Sequence, residues 1–204
     1  MTPLARDADF QKRLFFVQSL LPLGLILWDW SRGKLGANPV EFVTRSTGVL
    51  ALLFLVITLL VTPLRKLSGW NWLARHRRTF GLFAFFYALL HALTYLVFDR
   101  DLRWATVPED VWKRPFIAVG ALAFLLMVPL AVTSTNAMIK RLGGKSWNRL
   151  HRLTYLVPIA GVVHYWMIVK SDIRWPAAFG AAVVVLLGYR LFARRKPVAA
   201  PIAR

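Results

Sequence analysis

Four histidines and no cysteine bound the metal chemistry open to this chain of 204 residues. Without thiols, disulfides, iron–sulfur clusters and thiolate metal sites are excluded, and any metal must rest on His, Met or oxygen ligands. His91, His151 and His164 fall inside long apolar runs. An ionisable side chain is costly there, so it reads as functional by default. His91 lies about 13 residues into its run and His164 about 13 beyond His151 in another, which at 1.5 Å per residue sets both roughly 20 Å from one membrane face. Two neutral imidazoles at one depth on two helices are what a haem standing between them requires, one nitrogen reaching the iron from each side of the porphyrin.

Each histidine also has a plainer reading. An intramembrane His serves equally as an interhelical hydrogen-bonding group, and His151, at the inner boundary, as an interfacial residue. Gly81, Ala84 and Ala88 near the His91 face, and Ala160 and Gly161 before His164, leave room for a macrocycle but also suit bare helix packing. Thirteen residues of ideal helix turn through about 1300°, which leaves His151 and His164 some 140° apart in azimuth. Pro158 lies between them and removes a backbone donor, so a kink or change of winding is expected there. His76, in the basic run His76-Arg77-Arg78, is expected to be an exposed loop residue; an inner-side ligand is the alternative.

The elements that must position these residues are membrane spans. The chain is 57% hydrophobic yet carries a formal charge of +18, so apolar and basic residues must be segregated along it. Apolar runs of about 18 to 22 residues each suffice to cross a hydrocarbon core about 30 Å thick. The expected fold is an all-α integral membrane protein, a six-helix bundle forming a single domain over 1–204, with spans near 14–30, 43–63, 79–98, 115–132, 150–169 and 175–192. The first run lacks a small-residue cleavage site and is expected to be a retained helix. With both termini on the inner side, 18 of the 27 lysines and arginines face inward, counting the tail from Arg190 through Arg194-Arg195-Lys196. That bias predicts cytoplasmic termini. Basic juxtamembrane loops meet anionic lipid headgroups, so membrane lipid is the expected partner and nucleic acid is not. No internal repeat or low-complexity tract is evident.

Taken in order, Leu35-Gly36-Ala37-Asn38-Pro39-Val40, Thr62-Pro63-Leu64, Arg77-Arg78 with Gly81-Leu82 and His91, Arg114-Pro115, Thr133-Ser134-Thr135 with Ala137-Met138, Trp147, Leu150-His151, Tyr155-Leu156 and His164-Tyr165 span nearly the whole chain. In order and spacing they resemble the MsrQ (YedZ) proteins, haem-binding members of the ferric-reductase-like transmembrane group. The resemblance implies haem b associated with His91, His151 and His164, FMN as a further cofactor, and electrons drawn from the respiratory quinone pool. It also implies a bacterial inner-membrane location and a periplasmic partner, MsrP, a molybdopterin enzyme that reduces methionine sulfoxide in oxidised envelope proteins. In the larger ferric-reductase and NADPH-oxidase group, two haems typically use two His pairs on the same two helices. Arg77 stands here where the third helix would carry its inner His, 14 residues before His91. Three readings follow for the inner side: no haem, a haem with another ligand such as His76, or a flavin or quinone site near Arg77, Arg78 and Trp147.

The expected work is electron transfer across the membrane, with no bond-making step in a substrate. The chain shows no Gly-rich dinucleotide fingerprint and ends about a dozen residues after its last expected span, so its electron donor is expected to be separate. A ferric-chelate reductase using the same helices is the alternative within the redox class. A transporter would ordinarily add an intramembrane carboxylate, and the acids here lie in loops or at helix ends; a cofactor-free anchoring subunit leaves the matched depth of His91 and His164 a coincidence. Trp104 and Trp112 in the outer loop read as interfacial anchors, with partner docking as the alternative.

Overall fold

The computed structural model describes residues 7–194. The N-terminal residues before Asp7 and the basic tail at Arg195 and Lys196 lie outside the described residues. Helices run at Ala8–Ser31 (α1), Pro39–Ser68 (α2), Arg77–Thr94 (α3), Val107–Lys113 (α4), Pro115–Val132 (α5), Asn136–Leu142 (α6), Gly144–Leu150 (α7), Leu156–Ile168 (α8) and Arg174–Arg194 (α9). Tighter 3-10 segments occupy Asn71–His76, Trp104–Thr106 and His151–Tyr155, and a wider π turn occupies Tyr95–Asp99. No strand occurs among the described residues, in keeping with apolar runs of membrane-crossing length.

Among the described residues, five stretches are long and apolar enough to cross a membrane: Ala8–Ser31, Pro39–Ser68, Asn71–Asp99, Pro115–Val132 and Arg174–Phe192. The expected span at 150–169 is not one regular helix. Its first part, His151–Tyr155, is 3-10, and α8 adds only 13 residues. Pro158 is the third residue of α8 and has no N–H to offer the Thr154 carbonyl, so regular α-helix cannot extend back through that turn. The winding change foreseen at Pro158 therefore falls on its N-terminal side.

Helix α2 is the spine. Asn38 caps it by accepting from the Glu41 N–H, Pro39 opens it, and Gly69, at φ 73°, ends it where a side chain would be strained. It packs along α3 and also touches α8 and α9, while α5 packs on α8. Phe54 of α2 stacks on Tyr87 of α3 with centroids 5.5 Å apart and planes 9° apart. The Tyr87 hydroxyl, fully buried, donates to the Ser19 carbonyl of α1 at 2.6 Å, which ties that helix to the core without stranding a polar atom. Leu27, Leu125 and Val184 instead project outward, more than half exposed. Outward apolar side chains suit a helix bundle whose solvent is hydrocarbon.

Arg190 departs from the sequence reading. Grouped there with the basic tail, it is only 8% exposed. The reason lies in α2, where Pro63 cannot donate to the carbonyl four residues before it. That carbonyl belongs to Leu59, and the Arg190 Nη2 donates to it at 2.8 Å and to the Thr62 hydroxyl oxygen at 3.2 Å, with the guanidinium over the Tyr155 ring. A charged donor from α9 fills the gap that a proline leaves in α2. Replacing Arg190 with Met should lower stability in detergent by about 1–3 kcal/mol, the usual cost of a stranded buried polar group. Adding Pro63→Ala restores an N–H for Leu59 and should recover part of that loss; thermal melts in which the double variant is no more stable than Arg190→Met overturn this account.

Candidate functional site

His91 on α3 and His164 on α8 face each other, with ring centroids 6.0 Å apart and planes at 83°. Each is fixed from behind by a different helix. The Nδ1 of His91 lies 2.8 Å from the Thr44 carbonyl of α2, and the Nδ1 of His164 lies 2.7 Å from the Phe116 carbonyl of α5. A carbonyl only accepts, so both Nδ1 atoms carry the proton and donate, which leaves an Nε2 lone pair on each neutral ring. Neither Nε2 has a hydrogen-bond partner among the described residues. Donation from one ring nitrogen to a backbone carbonyl is how proteins orient a ligating imidazole and raise its basicity. A metal held between two imidazoles, with bonds of roughly 2.0 Å, sets the ring centroids about 6 Å apart. The observed separation leaves room for one metal ion between the rings, and a donor set of two neutral imidazoles would suit haem.

The sequence places both histidines at one depth, and here they are neighbours. It missed the residues behind them. The acceptor carbonyls precede their histidines by 47 and 48 residues, and each is followed four positions later by a glycine, Gly48 or Gly120, in contact with the imidazole. No repeat is evident by inspection of the sequence, yet the same local device occurs twice. The glycines noted on the histidine-bearing helices do something else: Gly81 faces Thr58 and Gly161 faces Leu52, so both serve helix packing.

His151 sits differently. The 3-10 segment advances its five residues by about 120° each and the following eight by about 100°, so His151 and His164 end roughly 40° apart in azimuth rather than 140°. Its ring stacks on Trp147 with centroids 3.8 Å apart, and its Nε2 lies 3.0 Å from the Thr133 hydroxyl oxygen. That hydroxyl donates to the Pro129 carbonyl at 2.6 Å, so the His151 Nε2–H is the donor to Thr133, the opposite tautomer to the other two rings. The Trp147 indole N–H donates to the Thr133 carbonyl at 2.8 Å.

Arg77, Arg78, Trp147 and His151 all line one cavity of about 820 Å³, together with Arg75, Arg152 and Tyr155. The structure thus brings the inner candidates of the sequence reading together. Arg77 hydrogen-bonds Tyr155, and Arg78 donates to the Asn136 side chain at 2.8 Å. His76 corrects the sequence expectation: it is 2% exposed, with its Nε2 3.3 Å from the Gln11 side-chain oxygen and its ring 4.8 Å from Phe15. The 3-10 turn before α3 folds it beneath α1, which sequence spacing does not reveal. At the other end, Trp104 and Trp112 are exposed, while Asp110 is buried between the Tyr95 hydroxyl, Arg100 and Arg114.

Residues 47–162 match the family described as the ferric reductase like transmembrane component. A protein of Herminiimonas arsenicoxydans is 52% identical over 89% of this chain and 84% of its own length. One of Ralstonia nicotianae is 53% identical over 85% and 81%, and one of Rhodospirillum rubrum 47% identical over 91% and 90%. Each bears the name protein-methionine-sulfoxide reductase heme-binding subunit MsrQ. The chain belongs to the MsrQ family. The ferric-reductase-like stretch takes in Gly48, His91, Gly120 and His151 and stops two residues short of His164.

Nitrogen-15 spectra of histidine-labelled protein made without haem supply check the proton positions. His91 and His164 should show protonated Nδ1, and His151 protonated Nε2. An Nε2–H signal from either member of the facing pair contradicts the arrangement described.

Proposed function

We propose that this chain is a b-haem electron carrier of the bacterial inner membrane, passing electrons from the quinone pool to a periplasmic molybdopterin methionine sulfoxide reductase of the MsrP kind. The observation that carries the reading is the facing pair of His91 and His164, each with its Nδ1 proton committed to a helix carbonyl and its Nε2 open. The name its relatives bear, haem-binding subunit of a methionine sulfoxide reductase, supports it. A bound haem b supplies reversible one-electron exchange at its iron. His91 and His164 would hold such a haem through their Nε2 atoms, the carbonyls of Thr44 and Phe116 keep both imidazoles oriented, and the surrounding apolar helices would hold the site away from water. No bond-making step on the sulfoxide belongs to this chain.

The inner cavity is assigned to the donor side. Its volume falls within the roughly 300–1,000 Å³ of small-molecule sites. Arg77 and Arg78 would hold the phosphate of FMN or the polar head of a quinone, with Trp147 as the flat apolar wall. His151 is proposed as the third haem-associated histidine; to ligate, its Nε2 must give up Thr133. The chain forms a single domain over 1–204, with 151–168 as a sixth crossing and both termini cytoplasmic, in keeping with the inward excess of lysine and arginine.

Detergent-purified protein should show b-type Soret and α bands on reduction. His91→Ala and His164→Ala should each abolish the pigment bound at that pair, and membranes should reduce methionine sulfoxide only with a co-expressed partner. Absence of pigment from the wild-type protein sinks the reading, and partner-independent reduction of ferric chelates redirects it to a ferric-chelate reductase.

A further inference from the structure

We infer that Gly48 and Gly120 are positioning residues for the two facing imidazoles, each uncovering the backbone carbonyl that fixes its histidine. In an α-helix every Cα–Cβ bond tilts toward the N-terminus, so a side chain covers the turn before its own Cα. The carbonyl of residue i is therefore screened by the side chain of residue i+4, whose N–H is also its ordinary hydrogen-bond partner. A second donor approaching from a neighbouring helix needs that screen removed. Thr44 and Gly48 stand in this relation on α2, and Phe116 and Gly120 stand in it on α5.

The contacts bear out the geometry at both places. A Cβ added to Gly48 would meet the His91 ring at 3.0 Å from Nδ1 and 3.1 Å from Cε1. One added to Gly120 would meet the His164 ring at 2.7 Å from Cε1 and 2.8 Å from Nδ1. Neither ring can swing away without lengthening a hydrogen bond that is already 2.8 or 2.7 Å. Of the described glycines, only these two would press a Cβ against a histidine, and they do so from helices that bear no facing imidazole of their own. Because each ring is clamped by its own glycine–carbonyl pair, the 83° between their planes is set by how α2 and α5 are placed, not by free rotation about χ2. A low-spin ferric haem held by imidazoles at that angle would show a strongly anisotropic electron paramagnetic resonance signal with a large maximum g value.

The inference rests on the haem reading above and is tested in the membrane-embedded or detergent-purified full chain. Gly120→Ala should lower haem retention about 10- to 100-fold, the usual effect of losing an orienting partner. Gly48→Ala, with the looser contact, should keep pigment but shift the ferric resonance toward a less anisotropic form and move the midpoint potential. Gly180→Ala is the control, since an added Cβ there meets Val162 at 3.4 Å and no histidine; it should leave resonance and potential unchanged. If Gly120→Ala does not fold, Gly48→Ala carries the test alone. A Gly48→Ala protein with the wild-type resonance and potential overturns the inference, as does an equal shift in Gly180→Ala. Wild-type protein without pigment instead removes the haem reading itself.

Discussion

A helix carbonyl can receive a proton but never give one, and the site depends on that asymmetry. By lying against Thr44 and Phe116, the imidazoles of His91 and His164 have the proton forced onto Nδ1 and the lone pair onto Nε2. Nothing in the side chains themselves decides this. His151 shows the contrary case: a hydroxyl already donating to Pro129 accepts a hydrogen bond from Nε2–H, so the same residue type carries its proton on the other nitrogen. Three histidines in one bundle are thus sorted into two kinds by the acceptors set beside them.

The same accounting governs the scaffold. In a medium without water every backbone group needs a partner, and the prolines inside the helices each leave one wanting. Arg190 reaches from α9 to the Leu59 carbonyl that Pro63 cannot serve. Before Pro158 the chain tightens into a 3-10 turn, and this brings His151 round to the cavity. Proline positions therefore steer both a buried arginine and a histidine that lines the inner cavity.

Much of this was legible in the sequence. Apolar runs give five spans but not the winding at 150–169, the rise per residue sets His91 and His164 at one depth, and the inner candidates Arg77, Arg78, Trp147 and His151 do share a cavity. What stayed hidden lies on other helices. Small residues were sought on the histidines' own faces, where Gly81 and Gly161 turn out to serve packing, while Gly48 and Gly120 sit more than forty residues upstream. Pairing between distant segments has no signature in one sequence. Local winding is as hard to read: the 3-10 turn at Asn71–His76 buries a histidine that its arginine neighbours mark as exposed.

Each clamp joins two helices. His91 is fastened within the α2–α3 hairpin and His164 between α5 and α8, so the site is a vice with two separately built jaws. Neither fastening uses an atom of the other, so each imidazole keeps its orientation on its own, and the gap between the jaws is set by how α3 rests on α5.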